Sequence, residues 1–380
     1  MEESFTKSSK SSRCLSKKGK VIYLVVYTAV VGLAFLSYLY SNEGSRRNTI
    51  KSNLNDDVIV LPKSSVMRYM DSTGIDGKLL VKMSFPRPGH PAAVLDHYKS
   101  MRDGTTFRKK CDKCALVFSS GHLLESGAGK EIDSMPCVIR MNAATTEGFE
   151  DDVGRKTTVR MVCHMSAEPL TVGAEEILGD ESDSKTESVL VFGLSKSNHN
   201  WAAERIKAVV EKYPNTEFYS MDEVGEMESD LIFEKETGKN KFETNTWLST
   251  GWYSMLAALD ICKELHVYGM VDENYCQEHP DSPVRYHYYQ SFDKPTECDT
   301  YDAHENKVYL GGHRFITEKA IFSRWAKMFN IHFHHPTWSP KSKKSKSGIR
   351  TPFVTRSEED VTFVASVFHW FVRSVMGFTT

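Results

Sequence analysis

Twenty consecutive residues without a charge, Val21 to Tyr40 (VIYLVVYTAVVGLAFLSYLY), constrain this chain more than any other stretch. As a helix such a run covers about 30 Å, the thickness of the hydrocarbon core of a bilayer, and it reads as a transmembrane signal-anchor. Lys7, Lys10, Arg13, Lys17, Lys18 and Lys20 precede it, and the next twenty residues carry only Arg46, Arg47 and Lys51. The excess of positive charge puts residues 1–20 in the cytosol as a short tail and everything after Tyr40 on the other side. A cleaved signal peptide is the alternative, but the run is longer than the usual apolar core of about 7–15 residues, and no small-x-small site follows it. Residues 361–376 (VTFVASVFHWFVRSVM) are shorter and interrupted by His369 and Arg373, which reads as an amphipathic surface helix or an extension rather than a second span.

Cysteine usage fits the oxidising side of a membrane. Cys14 is cytosolic on this topology, and Cys111, Cys114, Cys137, Cys163, Cys262, Cys276 and Cys298 lie beyond the span. Seven is odd, so at least one thiol stays free or pairs between chains. Cys111 and Cys114 have C-x-x-C spacing, but no second such pair completes a zinc site, and structural disulfides are the better reading. No Asn-x-Ser/Thr sequon occurs. Across 380 residues, 48 basic side chains meet 50 acidic ones, so the chain lacks the positive field of a nucleic-acid binder.

Residues 41–106 are polar and weakly periodic, with Pro62, Pro86, Pro88 and Pro91 scattered through them, the composition of a stem between anchor and domain. Beyond Thr106 the pattern changes to short apolar runs at 114–120, 137–142, 157–162, 188–194 and 264–270, which read as buried strands. Between them, Ile206, Val209, Val210 and Tyr213 mark one helix face, and Trp252, Met255, Leu256 and Leu259 mark another. Alternation of this kind predicts an α/β domain over 107–340 with a mainly parallel sheet and ligands at the carboxyl ends of its strands. Residues 341–380, with a basic run from Lys341 to Lys346, form an extension without an assigned role.

Candidate chemistry collects at those strand ends. Ser119-Ser120-Gly121-His122 follows the first strand, yet its spacing matches neither the dinucleotide nor the P-loop pattern, and an ordinary turn accounts for it. Leu248-Ser249-Thr250-Gly251 opens the second helix; Ser249 or Thr250 is a good N-cap, and the free amides of the first turn can alternatively face an anion. His313 falls in a loop ahead of a helix expected from about Thr317, whose N-terminus disfavours imidazolium and helps keep the ring neutral. No Asp-x-Asp pair and no Cys/His cluster of metal spacing anchors a divalent cation, so no metal or other cofactor is expected.

Together and in this order, these segments resemble the animal sialyltransferases. Cys114 to Val162 is similar to the large sialyl motif of that family, Thr246 to Met270 to the small motif, His287-Tyr288-Tyr289-Gln290 to motif III, and the H-x-x-x-x-E of His313 to Glu318 to the very small motif. The wording LSTGW, VYGM, YHYY and GGHRFITEK resembles the members that transfer sialic acid in α2,6 linkage to N-acetylgalactosamine, more narrowly those preferring an already sialylated Gal-GalNAc core.

The resemblance implies a single-pass type II Golgi membrane enzyme with a lumenal catalytic domain of Rossmann-like, modified GT-A type. It would use CMP-sialic acid as donor, without metal and with inversion, and a glycoprotein O-glycan or a glycolipid as acceptor. Carried over by position, Ser119, Asn142, Ser249, Thr250 and Gly251 would contact the donor and His287 would stabilise the departing phosphate. His313 would be the general base, with Glu318 completing its motif. Cys114 would bond to Cys262, and Cys276 with Cys298 is a plausible second bridge. Phe192-Gly193-Leu194 and Cys163 depart from the usual pattern and bear on acceptor fit. A glycan- or nucleotide-binding protein without turnover, or a different linkage, are the alternatives.

Overall fold

The structure is a computed structural model that describes residues 58–60, 80–82 and 85–355, apart from 180–181, 183–184, 243, 292–293, 307–310 and 341–347. The expected anchor, the basic run at 341–346, the apolar stretch at 361–376 and Cys14 lie outside the described residues. Among the described residues no helix is long and apolar enough to cross a membrane. The chain divides into two units, Met1–Lys82 and Met83–Thr380. In the first, β1 (Val58–Val60) and β2 (Leu80–Lys82) form an antiparallel ladder with Val58 opposite Lys82.

The second unit is built on one sheet of eight strands: β3 (Tyr98–Ser100), β4 (Cys111–Val117), β5 (Cys137–Met141), β6 (Thr157–Cys163), β7 (Thr186–Phe192), β8 (Glu217–Met221), β10 (Cys262–Tyr268) and β12 (Ile331–His334). β9 (Thr246–Trp247) and β11 (Gly312–His313) pair separately. The order is β12-β10-β4-β5-β6-β7-β8-β3, and every neighbouring pair is parallel except the antiparallel β3–β8 edge. This is the mixed α/β architecture with a mainly parallel sheet that the alternation predicts.

Both faces of the sheet are covered, because strand side chains alternate. Along β4, Cys114 and Leu116 enter one core, and Ala115 and Val117 enter another. The helices are α1 (Asn200–Lys212), α2 (Glu223–Thr237), α3 (Thr250–Ile261), α4 (Glu297–Glu305) and α5 (Phe315–Trp325). α1 buries Ile206, Val209 and Val210 against β6 and β7, on the face its periodicity marks. α3 is buried all round from Gly251 to Ile261 rather than on one face, and Trp252 packs its ring against Phe233 of α2 and Phe322 and Trp325 of α5.

Disulfides join Cys111 to Cys137, Cys114 to Cys262 and Cys276 to Cys298. Among the described residues Cys163 is the free thiol. Two boundaries move. The domain starts before residue 107: Ala92, Val94, Leu95 and Tyr98 are core residues, and β3 is an edge of the sheet. Residues 348–355, set apart as extension, return to the domain, where Phe353 and Val354 join the core and Thr351 bonds Thr317. The polar composition around these short segments hid the few apolar side chains that anchor them.

Candidate active site

One cavity of about 690 Å³ is lined by Ser119, Asn142, Ser249, Thr250, Gly251, His287, His313 and Glu318, so the fold gathers every candidate catalytic and donor residue in a single place. Its floor is formed at the carboxyl ends of β4, β5 and β6 and at the N-terminus of α3, where the strand–helix alternation puts ligands.

The turn after β4 is held by motif III. Tyr288 donates its backbone N–H to the Ser119 carbonyl at 2.7 Å, and Gly121 donates to the Arg285 carbonyl at 2.9 Å. Ser120 caps the following turn by accepting from the His122 N–H at 3.2 Å. After β5, Asn142 adopts a left-handed backbone (φ 49°), a conformation that Asn tolerates better than most residues. The buried Arg160 guanidinium fixes it there by donating to the carbonyls of Asn142 at 2.8 Å and Ala144 at 3.1 Å. The Asn142 side chain accepts the Cys163 N–H at 3.2 Å and donates to the Thr250 hydroxyl at 3.2 Å, which ties β5, β6 and α3 together.

At the head of α3, Ser249 is the N-cap: its hydroxyl accepts the Trp252 N–H at 3.0 Å and donates to Glu318. The Ser249 N–H donates to the same carboxylate at 2.9 Å. Both sides of the Ser249 hydroxyl are thus engaged within the protein, and Thr250, Gly251 and the positive end of the α3 dipole are what this turn offers an anion. Gly251 is small for a steric reason, since a Cβ there would stand 3.0 Å from the Phe118 ring and 3.2 Å from the Ser249 hydroxyl. Burial pushes the Glu318 carboxyl up to about 7 despite the two bonds from Ser249, which oppose the shift.

His313 lies in β11, paired with β9, and α5 begins at Phe315, two residues earlier than the pattern around Thr317 predicts. Thr317 is buried inside the helix, where its hydroxyl donates to Glu305. The His313 Nδ1–H donates to the Trp247 carbonyl at 2.8 Å, and because the carbonyl can only accept, the tautomer is set and the lone pair is on Nε2. Burial lowers the His313 pKa to about 4, with the His304 and Arg314 charges adding to the shift and the Trp247 carbonyl opposing it. Burial also lowers His287 to about 4. Both rings are therefore neutral at pH 7.

Several residues in or beside the cavity carry no sequence motif. His304 stacks on His313 with centroids 5.4 Å apart and accepts the His313 N–H at 3.3 Å through its own Nδ1. His164 and His199 stack face to face at 3.7 Å, with His199 Nδ1 donating to the Gly193 carbonyl at 2.5 Å. Phe192 stacks on Tyr253 at 3.9 Å. Lys196 and Cys163 line the same cavity. Two of these pairings reach across 35 or more residues of sequence, and periodicity within one element has no way to report them.

The profile of glycosyltransferase family 29 (sialyltransferase) matches residues 92–324. The chain belongs to the sialyltransferase family. It is 39% identical over 246 residues to human "Alpha-N-acetylgalactosaminide alpha-2,6-sialyltransferase 3", covering 64% of this chain and 79% of that protein. Identity is 42% over 258 residues with human "Alpha-N-acetyl-neuraminyl-2,3-beta-galactosyl-1,3-N-acetyl-galactosaminide alpha-2,6-sialyltransferase", covering 66% and 84%. Among solved structures, a mammalian sialyltransferase in complex with Gal-beta-1-3GalNAc-ortho-nitrophenol aligns with a TM-score of 0.38 and 23% identity over 59% of this chain and 69% of that one. The match begins at residue 92, close to where the structure begins the domain. This sialyltransferase-family chain is thus a glycosyltransferase whose cavity holds the family's motif residues.

Proposed function

We propose that the enzyme transfers sialic acid from CMP-sialic acid in α2,6 linkage to the GalNAc of sialyl-Gal-GalNAc, on a glycoprotein O-glycan or a glycolipid. The observation that carries this reading is the fixed tautomer of His313: a neutral imidazole with its lone pair on Nε2, in the same cavity as Asn142, Thr250 and Gly251. In the step itself the acceptor 6-hydroxyl oxygen bonds to the anomeric carbon of the donor while the bond from that carbon to the phosphate oxygen breaks. The electron pair leaves with CMP, and the hydroxyl proton passes to His313 Nε2. Attack from the face opposite CMP inverts the centre. General-base assistance of this kind is typically worth about 10²–10⁴ in rate.

The leaving phosphate gains charge, and the head of α3 and a ring N–H of His287 would balance it as preplaced donors. Neutral His287 still carries one N–H to give. Glu318 would act by fixing Ser249, and through it the α3 turn, rather than by touching substrate. Three disulfides accord with an oxidising lumen, and with residues 21–40 as anchor the enzyme would be a type II Golgi membrane protein.

The test is transfer from CMP-sialic acid by the full chain in detergent, offered sialyl-Gal-GalNAc on a peptide and on a lipid, with His313→Ala as control. Product linked 2,6 to GalNAc and lost in the control is expected, and the two acceptors are ranked by kcat/KM. Folded protein that binds CMP yet makes no such product overturns the reading and leaves a binder without turnover or another linkage.

A further inference from the structure

β10 and β12 run parallel at one edge of the sheet, with His266 opposite His332 and Tyr268 opposite His334. Because side chains two apart share a strand face, Glu264 and His266 of β10 meet His332 and His334 of β12 on one surface. One ligand atom from each of Glu264, His266 and His332 lies within 4.8 Å of the other two. None of the three lines the cavity described above.

We propose that Glu264, His266 and His332 form a binding site for a zinc-class divalent ion that fastens the edge strand β12 to β10. Ligands of one such ion, held at about 2.0–2.1 Å, lie within about 4 Å of one another, and a small rotation of the exposed His332 ring closes the difference. The second layer of contacts has the form that metal-bound imidazoles use. Glu264 Oε1 is 2.8 Å from His266 Nε2, which puts carboxylate and nitrogen beside one position. The other ring nitrogen, Nδ1, is 2.9 Å from His334 Nε2. With an ion on Nε2 the proton of His266 sits on Nδ1, where His334 accepts it and fixes the ring. Two imidazoles and a carboxylate without a thiolate suit zinc, cobalt or nickel, and disfavour magnesium and calcium, which seek all-oxygen shells. Lys113 Nζ also pairs with Glu264 Oε1, at 2.9 Å, so a bound ion competes with this ammonium for the carboxylate.

The test uses the full chain in detergent, stripped with EDTA and titrated with Zn²⁺ alone, read by calorimetry and thermal midpoint. One equivalent of zinc, a raised midpoint, and no effect of Mg²⁺ are expected. His332→Ala, an exposed position, is expected to weaken binding by about tenfold or more and to abolish the shift in midpoint, with Glu264→Gln doing the same. Lys113→Ala is expected to tighten binding several-fold. Co²⁺ in place of zinc gives an absorption spectrum that reports coordination number directly. Absence of stoichiometric zinc binding, or zinc binding that neither His332→Ala nor Glu264→Gln changes, overturns the proposal. Sialic acid transfer is not a readout, so this outcome is independent of the proposed reaction.

Discussion

Two groups of residues share the cavity and are built differently. Asn142, Thr250, Ser249 and Glu318 interlock through hydrogen bonds that join two strands to the head of α3, while Phe192 with Tyr253 and His164 with His199 meet as stacked rings around Gly193. A hydrogen-bonded lattice fixes directions and suits a constant partner, as the CMP part of a donor would be. Stacked rings fix a surface with little directional demand, and their identity can change without dismantling the turn beside them. Phe192 and Cys163, two of the positions expected from the resemblance to depart from the family pattern, belong to the second group or border it.

Substitutions sharpen this contrast. His313→Ala should cost most, about 10²–10⁴ in kcat, with the KM for CMP-sialic acid little changed. In the wild type the acid limb of kcat/KM is expected well below pH 6.5, because the free enzyme holds His313 near 4 and the base is protonated only below that value. An acid limb at 6.5 that His313→Ala leaves in place would remove this ring from the reaction.

Next comes Gly193→Ala. Gly193 has φ 84°, and a Cβ there would run into His164 Nδ1, so the change adds about 1–2 kcal/mol of backbone strain to a clash. Urea unfolding should show the loss, and acceptor KM should rise more than donor KM. Equal effects on both would mean that the stacked group is not separate from the hydrogen-bonded one.

Glu318→Gln tests the first group through pH. With its folded pKa raised from 4.5 to about 7, the native state binds this proton more tightly than the unfolded chain, so wild-type stability falls as pH rises from 4.5 to 7. Part of that slope should vanish in Glu318→Gln, by denaturation at pH 5 and pH 7; an unchanged slope would mean that Glu318 is ionised throughout. The smallest effect is expected from His199→Ala, about tenfold or less in acceptor kcat/KM, since it removes one ring of a stack and the bond to the Gly193 carbonyl.

Strands β4, β5, β6, β7 and β10 and the helices α1 and α3 were legible because a buried parallel strand needs a nearly unbroken apolar run and a helix packed on a sheet needs apolar residues at 3–4 residue steps. β8 and the edges β3 and β12 were not, since they are short and mix buried with partly or fully exposed positions. α2 was hidden for the opposite reason: it buries Glu226, Glu228 and Asp230 along with its apolar residues, and partners such as Lys241 on Asp230 and His97 on Glu228 come from elsewhere in the chain. Motif residues of the cavity could be located in sequence through family resemblance, whereas His164 and His199 could not, because each is defined by the group it faces.

Sequence alone determined the α/β class, the parallel sheet, the odd cysteine and the positions of the motifs, all of which follow from local period, composition or wording. Tertiary structure decided which hydroxyl caps α3, which nitrogen of His313 carries its proton, which cysteine stays free, and which rings complete the cavity. Those are properties of pairs that folding brings together, some from far apart in the chain, as Ser249 with Glu318 or Cys114 with Cys262. Their energies depend on burial and contact, which no single stretch of chain contains.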